Sequence, residues 1–249
     1  MEILIIGSDN RAQALSKLLS SKGITAPYFE INHIDNQIVK NAQILISINS
    51  ASSAIKVLKD LIPHITQKSV YVDANSAPPS LKRTLSDLLG NHNFVDAAIL
   101  TADSCPQSAD DVLISGAGAK SLNELLAPMG IAFKYISDKP GDSAARKMIQ
   151  VMLTQGLAAA AIETLWLAEN LGLEQWALAE IQKVFNSSSE STIEYYLKEI
   201  QKHPKNRQVE MGDIISLLND SSHESAMTAP IELVLSKIIH AKKIPLIEE

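Results

Sequence analysis

Apolar positions in the first half of the chain fall into short runs separated by stretches of helical periodicity. Ile3 to Ile6 is an apolar run closed by Gly7, and Ala12, Leu15, Leu18 and Leu19 follow at helical spacing as far as Lys22-Gly23. This predicts strand, turn and helix. Further apolar or β-prone runs stand at Ala26–Phe29, Ile44–Ile48, Val70–Val72, Phe94–Val95 and Val112–Ser115, with room for helices between them. Strands alternating with helices predict a parallel sheet covered on both faces.

The pattern changes after Tyr135-Ile136, where Asp138-Lys139-Pro140-Gly141-Asp142 is turn chemistry and no strand run follows. Two domains are expected, residues 1–138 with the sheet and 139–249 all helical. The second opens with one long helix from Ser143 to about Asn170, with Asp142 as its N-cap and Gly172 as its stop. Between Val151 and Ile162 that helix is apolar nearly all round, which predicts burial on several sides, completed by a second copy of the chain in a homodimer. Helices are also expected near Gln175–Phe185, Ser191–Lys202, Val209–Leu218 and Ala229–His240. Ser187-Ser188-Ser189 reads as a connector, and Ser191 to Glu194 as a capping box.

Composition narrows the partners. A 46% hydrophobic share over 249 residues is ample for closed cores. A net charge of −6 with dispersed lysines argues against nucleic acid. The single cysteine, Cys105, excludes an internal disulfide, and the opening residues lack a secretory signal, so a cytoplasmic location is expected. The apolar stretch Met148 to Ala161 is short for a bilayer and carries Gln150, Thr154 and Gln155, so no membrane span is expected. His33, His64, His92, His203, His223 and His240 show no paired spacing with one another or with Cys105, and no metal site is expected. Ser115-Gly116-Ala117-Gly118-Ala119-Lys120 lacks the spacing of a phosphate loop and reads as a strand end leading into a helix.

Gly7-Ser8-Asp9-Asn10-Arg11-Ala12 stands where a dinucleotide-binding Gly-x-Gly-x-x-Gly/Ala turn would stand, after the first strand and at the start of a helix. Gly7 and Ala12 satisfy the first and third small positions. Asp9 occupies the second and adds a negative charge where a diphosphate would meet the helix N-terminus. Arg11 can offset that charge or grip a phosphate. Glu30 is placed to meet an adenosine ribose, which would favour NAD over NADP. Asn49, after the run ending at Ile48, and Asn75, after the run ending at Val72, complete the expected cofactor-binding set. These features make the first domain Rossmann-type.

Several segments in order resemble the β-hydroxyacid dehydrogenases, the family of the 6-phosphogluconate and 3-hydroxyisobutyrate dehydrogenases, and most closely their phosphogluconate-dehydrogenase-like relatives of unassigned activity. They are Asp73-Ala74-Asn75-Ser76-Ala77-Pro78, Asp96-Ala97-Ala98-Ile99, Leu113-Ile114-Ser115-Gly116, the run from Pro140 through Lys147 to Met148, Glu163 through Leu173, and Arg207 through Met211. The resemblance implies an NAD- or NADP-dependent oxidoreductase acting on a small hydroxy or oxo acid, with Lys147 as general acid and base. It also implies that Ser76, Asp96, Ala97, Ala98 and Gln150 lie around the substrate.

Two departures bear on that activity. Family members carry an Asp-Ala-Pro-x-Ser-Gly-Gly substrate loop where this chain has Asp96 to Ala102, and an asparagine four residues after the lysine where it has Val151. Two alternatives therefore accompany the leading reading. One is a non-catalytic relative that keeps the fold and dimer but has lost the cofactor through Asp9. The other is an imine reductase of similar architecture.

Overall fold

The structure is a computed structural model describing residues 2–7, 10–30, 35–90, 93–101, 106–186, 197–198, 200–219 and 225–241. Ser8, Asp9, Cys105, His33, His92, His223 and the expected Ser187–Glu194 connector and cap lie outside the described residues. The chain divides into two compact units, Met1–Met152 and Leu153–Glu249.

The first unit is built on a seven-stranded sheet of β1 (Ile3–Ile6), β2 (Tyr28–Phe29), β3 (Ile44–Ser47), β4 (Val70–Asp73), β5 (Asn93–Ile99), β6 (Val112–Ser115) and β7 (Lys134–Ser137), in the order β2-β1-β3-β4-β5-β6-β7. Alternation along the strands sorts the core into two layers. Ile3, Ile5, Ile44, Ile46 and Val72 pack with the helices α1 (Asn10–Ser21) and α5 (Ala119–Leu126). Leu4, Ile6, Leu45, Tyr71 and Phe94 pack on the other face with α2 (Asn36–Asn41), α3 (Ala54–Leu61) and α4 (Pro79–Leu89).

The sheet departs from the all-parallel expectation at one place, since β5 and β6 are antiparallel. Among the described residues between them, 100–101 and 106–111, the helical structure is a short 3-10 turn, Ala109–Asp111. Without a crossover the chain can only turn back on the strand it has left.

Because β2 and β3 flank β1, the connections leave in opposite directions there, and the sheet has its topological switch point beside β1. Gly7, just past β1, is needed for close approach: a Cβ at this position would stand 2.2 Å from the Ile48 carbonyl oxygen.

A long helix, α6 (Asp142–Leu171), starts in the first unit and runs into the second. It ends in a Schellman arrangement, with Gly172 at φ +68° and Leu173 N–H donating to the Ala168 carbonyl at 2.8 Å. The second unit continues with α7 (Glu174–Asn186), α8 (Pro204–Asn219) and α9 (Thr228–Ala241). α8 begins five residues before the expected Val209, with Pro204 as its first residue, a position where proline's missing N–H is no loss.

By length and composition alone α6 could cross a membrane, a test that the core helix of a soluble protein also passes. The polar residues Gln150, Thr154 and Gln155 are uncharged and too few to offset the surrounding leucines, alanines and methionines.

Candidate active site

The carboxyl ends of the strands carry a polar row beneath the apolar one. Ser47, Asp73, Asp96 and Ser115 are successive cross-strand neighbours in register on β3, β4, β5 and β6. All four are fully buried. Such a row needs internal partners, because an unsatisfied buried carboxylate is strongly unfavourable.

Lys82 supplies one set of partners. It lies on the buried stripe of α4 with Leu85 and Leu89, at 1% exposure. Its Nζ donates to the Asp73 carbonyl at 2.8 Å and to Asp73 Oδ1, and stands 3.3 Å from Asp96 Oδ1. Burial pushes the Asp73 carboxyl above its ordinary range against the pull of Lys82.

The amino end of α6 supplies the other set. Asp96 Oδ2 accepts from the Gly141 N–H at 3.0 Å, the Ala144 N–H at 3.1 Å and Ser115 Oγ at 3.1 Å. Ser115 Oγ in turn accepts the Ser143 N–H at 3.0 Å. The expected cap, Asp142, instead accepts from Ser137 Oγ at 2.6 Å, so sheet residues satisfy the first N–H groups of the helix. Gly141 makes this junction possible, with φ at +98° and no room for a Cβ, which would lie 2.9 Å from the Pro79 carbonyl oxygen.

One turn beyond Ser143 stands Lys147, buried to 7% exposure. Burial, then the charges of Lys82 and Arg11, hold its ammonium pKa below the ordinary lysine value.

At the switch point, Arg11 Nη2 donates to the Asn49 carbonyl at 2.8 Å, and Asn49 Nδ2 donates to the Ile6 carbonyl at 2.8 Å. These bonds tie the start of α1 to the ends of β1 and β3. Asn75 is 2% exposed and its amide is used internally: its Oδ1 accepts the Asn49 N–H, and its Nδ2 donates to Asp73 Oδ2 at 2.7 Å. It supports the Asn49 loop from beneath.

The residues expected around cofactor and substrate thus separate. Gly7, Arg11 and Asn49 lie at the carboxyl ends of β1 and β3, with Asn10 opening α1 and Ala12 fully buried beneath it, and Lys147 on α6 is near enough to Arg11 and Lys82 to feel their charges. Glu30 is exposed directly after β2, whose Phe29 carbonyl accepts the Gly7 N–H at 2.9 Å. Ser76 is exposed and Gln150 half-buried.

Three residues assigned to substrate stand elsewhere. Both carboxylate oxygens of Asp96 face protein partners, and the residue is wholly buried. Ala97 and Ala98 are buried strand residues paired with Ile114 and Leu113, because β5 continues as a strand to Ile99 where classical members of the resembled family carry a glycine-rich substrate loop. Sequence reasoning missed Lys82, whose signal was a lysine interrupting an apolar helical stripe. It also missed Ser47 and Ser115 as members of one row, although each closes an apolar strand run.

No family model matches the chain. A curated relative, an uncharacterized 28.5 kDa protein in the 7S RNA 5′ region of Methanothermus fervidus, is 31% identical over 136 residues, covering 55% of this chain. The match spans about half of that relative, 52% of its length.

Among solved structures, a conserved protein of unknown function described as structurally similar to 3-hydroxyacid dehydrogenases matches over 97% of this chain and 98% of its own. It does so at 24% identity and a TM-score of 0.59. The imine reductase of Myxococcus stipitatus in complex with NADP⁺ matches over 97% and 95% at 14% identity, with a TM-score of 0.80. The Streptomyces aurantiacus imine reductase matches over the same shares at 14% identity and 0.79. The chain has the fold of 3-hydroxyacid dehydrogenase-like proteins and imine reductases, a Rossmann-type sheet unit followed by helices.

Proposed function

We propose that the protein is an NAD(P)-dependent oxidoreductase in which Lys147 moves the proton. The observation that carries this reading is a buried lysine of lowered pKa that feels the charge of Arg11 at the switch point of the sheet. The residues present fit a dinucleotide. Gly7 lets the end of β1 pack against the Ile48 backbone at the switch point, Arg11 offers a cation at the first turn of α1, and Asn49 and Glu30 border the neighbouring strand ends. A bound nicotinamide supplies or accepts the hydride. Lys147, as the neutral amine, takes the proton of a substrate hydroxyl during oxidation and, as the ammonium, gives it back during reduction.

A second reading, imine reduction, is favoured by one feature. The segment from Ala97 to Ile99 is an apolar strand without the serine and glycines that would hold a substrate carboxylate. The groups that other members of the resembled family use to hold a substrate carboxylate are thus missing from this segment, which counts against an acid substrate, and the imine reductases of similar fold support the same view.

Calorimetric titration with NADH and NADPH tests the common premise, and no binding of either removes both readings. A Lys147→Met variant that binds cofactor but loses turnover of hydroxy acids supports the first. Unchanged turnover of cyclic imines in that variant supports the second.

A second copy of the chain is proposed to cover the apolar surface of the helical unit. Trp176 is 63% exposed, Val209 67% and Leu233 58%, far above what an isolated domain core leaves in water. Lipid is a poorer occupant, because the amino end of α6 is hydrogen-bonded to the sheet through Asp96 and Ser115.

A further inference from the structure

The proton-transfer lysine is not the only buried lysine of the first unit. Lys82 reaches the site from α4, and its ammonium group faces two carboxylates on adjacent strands, Asp73 and Asp96. Asp96 is shared, since one oxygen faces Lys82 and the other holds the amino end of α6. A single chain of contacts therefore runs from α4 through the sheet to the first turn of the helix that carries Lys147.

We propose that Lys82 is the positioning residue of this site: it clamps Asp73 to Asp96 and, through Asp96, fixes where Lys147 stands and which charges it faces. The assignment rests on the proton-transfer role given to Lys147 above.

Geometry and charge agree on this. Gly141, Ser143 and Ala144 are all held by Asp96 or by Ser115, so α6 cannot shift or rotate without breaking buried hydrogen bonds. Ser143 Oγ, fully buried one turn before Lys147, has no hydrogen-bond partner among the described residues, and the backbone bonds do the anchoring. Among the described residues, two cations bear directly on Lys147 and two carboxylates stand behind one of them. They are Arg11 of α1, Lys82 of α4, and behind Lys82 the carboxylates Asp73 of β4 and Asp96 of β5; Asp142 and Arg146 flank it on its own helix. Burial and the two cations Lys82 and Arg11 push Lys147 toward the neutral amine. Removal of Lys82 should therefore make Lys147 more basic, whereas neutralising Asp96 should make it less so.

The opposed signs distinguish this role from simple loosening, which would bring Lys147 toward the behaviour of a surface lysine in both variants. The test is trace acetylation of the full-length protein with acetic anhydride across pH, followed peptide by peptide by mass spectrometry, with exposed Lys59 as internal reference. It needs neither substrate nor cofactor, so it stands even if the oxidoreductase reading fails.

In Lys82→Met, the midpoint for Lys147 is expected to rise by about one pH unit, an approximately tenfold slower reaction at pH 8 relative to Lys59. In Asp96→Asn, it is expected to fall, with labelling at pH 8 about two- to threefold faster. A shift of the same sign in both variants, or none in either, overturns the proposal. If Lys82→Met does not fold, Asp96→Asn decides alone: a downward shift supports the clamp, and an unchanged or upward midpoint overturns it.

Discussion

Asp96 in the sheet unit and Glu163 in the helical unit are both buried carboxylates that accept backbone N–H groups at the start of a helix. Asp96 holds the amino end of α6, and its second oxygen faces the buried ammonium of Lys82. Glu163, 4% exposed, accepts the N–H groups of Ala226, Met227 and Thr228 together with Thr228 Oγ1 at 2.8 Å, and so holds the amino end of α9. Hydrogen bonds and the helix dipole alone stabilise Glu163, while Asp96 also belongs to an ionic cluster. The Glu163 arrangement is a self-contained cap. The Asp96 arrangement couples a cap to whatever chemistry stands on the helix it starts.

The largest effect is expected where the coupling is broken. Asp96→Ala removes one of the two carboxylates of Lys82 and uncovers two N–H groups of α6 at once. Loss of one partner from a buried ion pair costs about 3–5 kcal/mol. Urea denaturation should register a loss of that size, or failure to fold, and a loss under ~1 kcal/mol would show that the cluster contributes little.

The two units also differ in how completely they bury their apolar residues. In the sheet unit Leu4, Ile5, Ile6, Leu45 and Phe94 are at 1% exposure or less, whereas the helical unit leaves Trp176, Val209, Leu233 and Val234 more than half exposed. A charge in that surface should therefore act on assembly. Leu233→Glu is expected to convert a dimer to a monomer in light scattering, while the far-ultraviolet helical signal is kept. A wild type already monomeric at micromolar concentration would remove the proposed second copy.

This contrast also explains what was legible in the sequence. Strands β1 to β6 were readable because each contains a short apolar or β-prone run, whereas β7, Lys-Tyr-Ile-Ser, has no such run; the long helix was readable because Gly172 stops it where the leucine and alanine pattern ends. Lys147 was found through the resemblance around Gly141, not through its own neighbourhood, where Arg146 beside it makes a surface lysine pair look natural. The polar row was not legible, since Ser47, Asp73, Asp96 and Ser115 meet only through the sheet register. Asp96 was read as a substrate residue because a carboxylate at a strand end in such a fold faces the cleft unless something inside claims it. Lys82 and the start of α6 do so here, and neither contact is local in sequence. The direction of β6 was hidden for a similar reason, because a connection of twelve residues has length enough for a helix, whereas its described residues hold a 3-10 turn.

Glu163 sets a smaller, pH-dependent effect. Burial alone would raise its pKa, but the hydrogen bonds from Met227, Thr228 and Ala226 outweigh burial and leave it below the ordinary glutamate value. The folded pKa lies below the unfolded one, so the contribution to stability is fully present above the unfolded value, about 4.3. It is lost as pH falls through the lowered folded value. Glu163→Gln should be less stable than wild type by about 1–2 kcal/mol at pH 7, because a charge-assisted cap becomes a neutral one. The gap between their thermal midpoints should close as pH falls below about 4. A gap that stays constant down to pH 3 would mean that packing, not charge, is what the glutamate contributes.

The smallest effect is expected at an ion pair on the outside of the sheet unit. Lys120 Nζ lies 3.1 Å from Asp138 Oδ2 and 5.1 Å from the centre of the Tyr135 ring, with the two charged side chains 60% and 58% exposed. The bond to Asp138 raises the lysine pKa, and the same bond lowers that of the aspartate. Both groups are already hydrated in the unfolded chain and stay so in the folded one, so their attraction in water does little beyond offsetting the entropy lost in holding two long side chains together. Lys120→Met should leave the thermal midpoint within measurement error at physiological salt, and any small decrease at low salt should vanish as salt is added. A salt-independent loss comparable to that of Glu163→Gln would mean that the strand-end chemistry of β7, through Tyr135, is coupled to the interior row, and that the division between buried and surface charge drawn from Asp96 and Lys82 is too sharp.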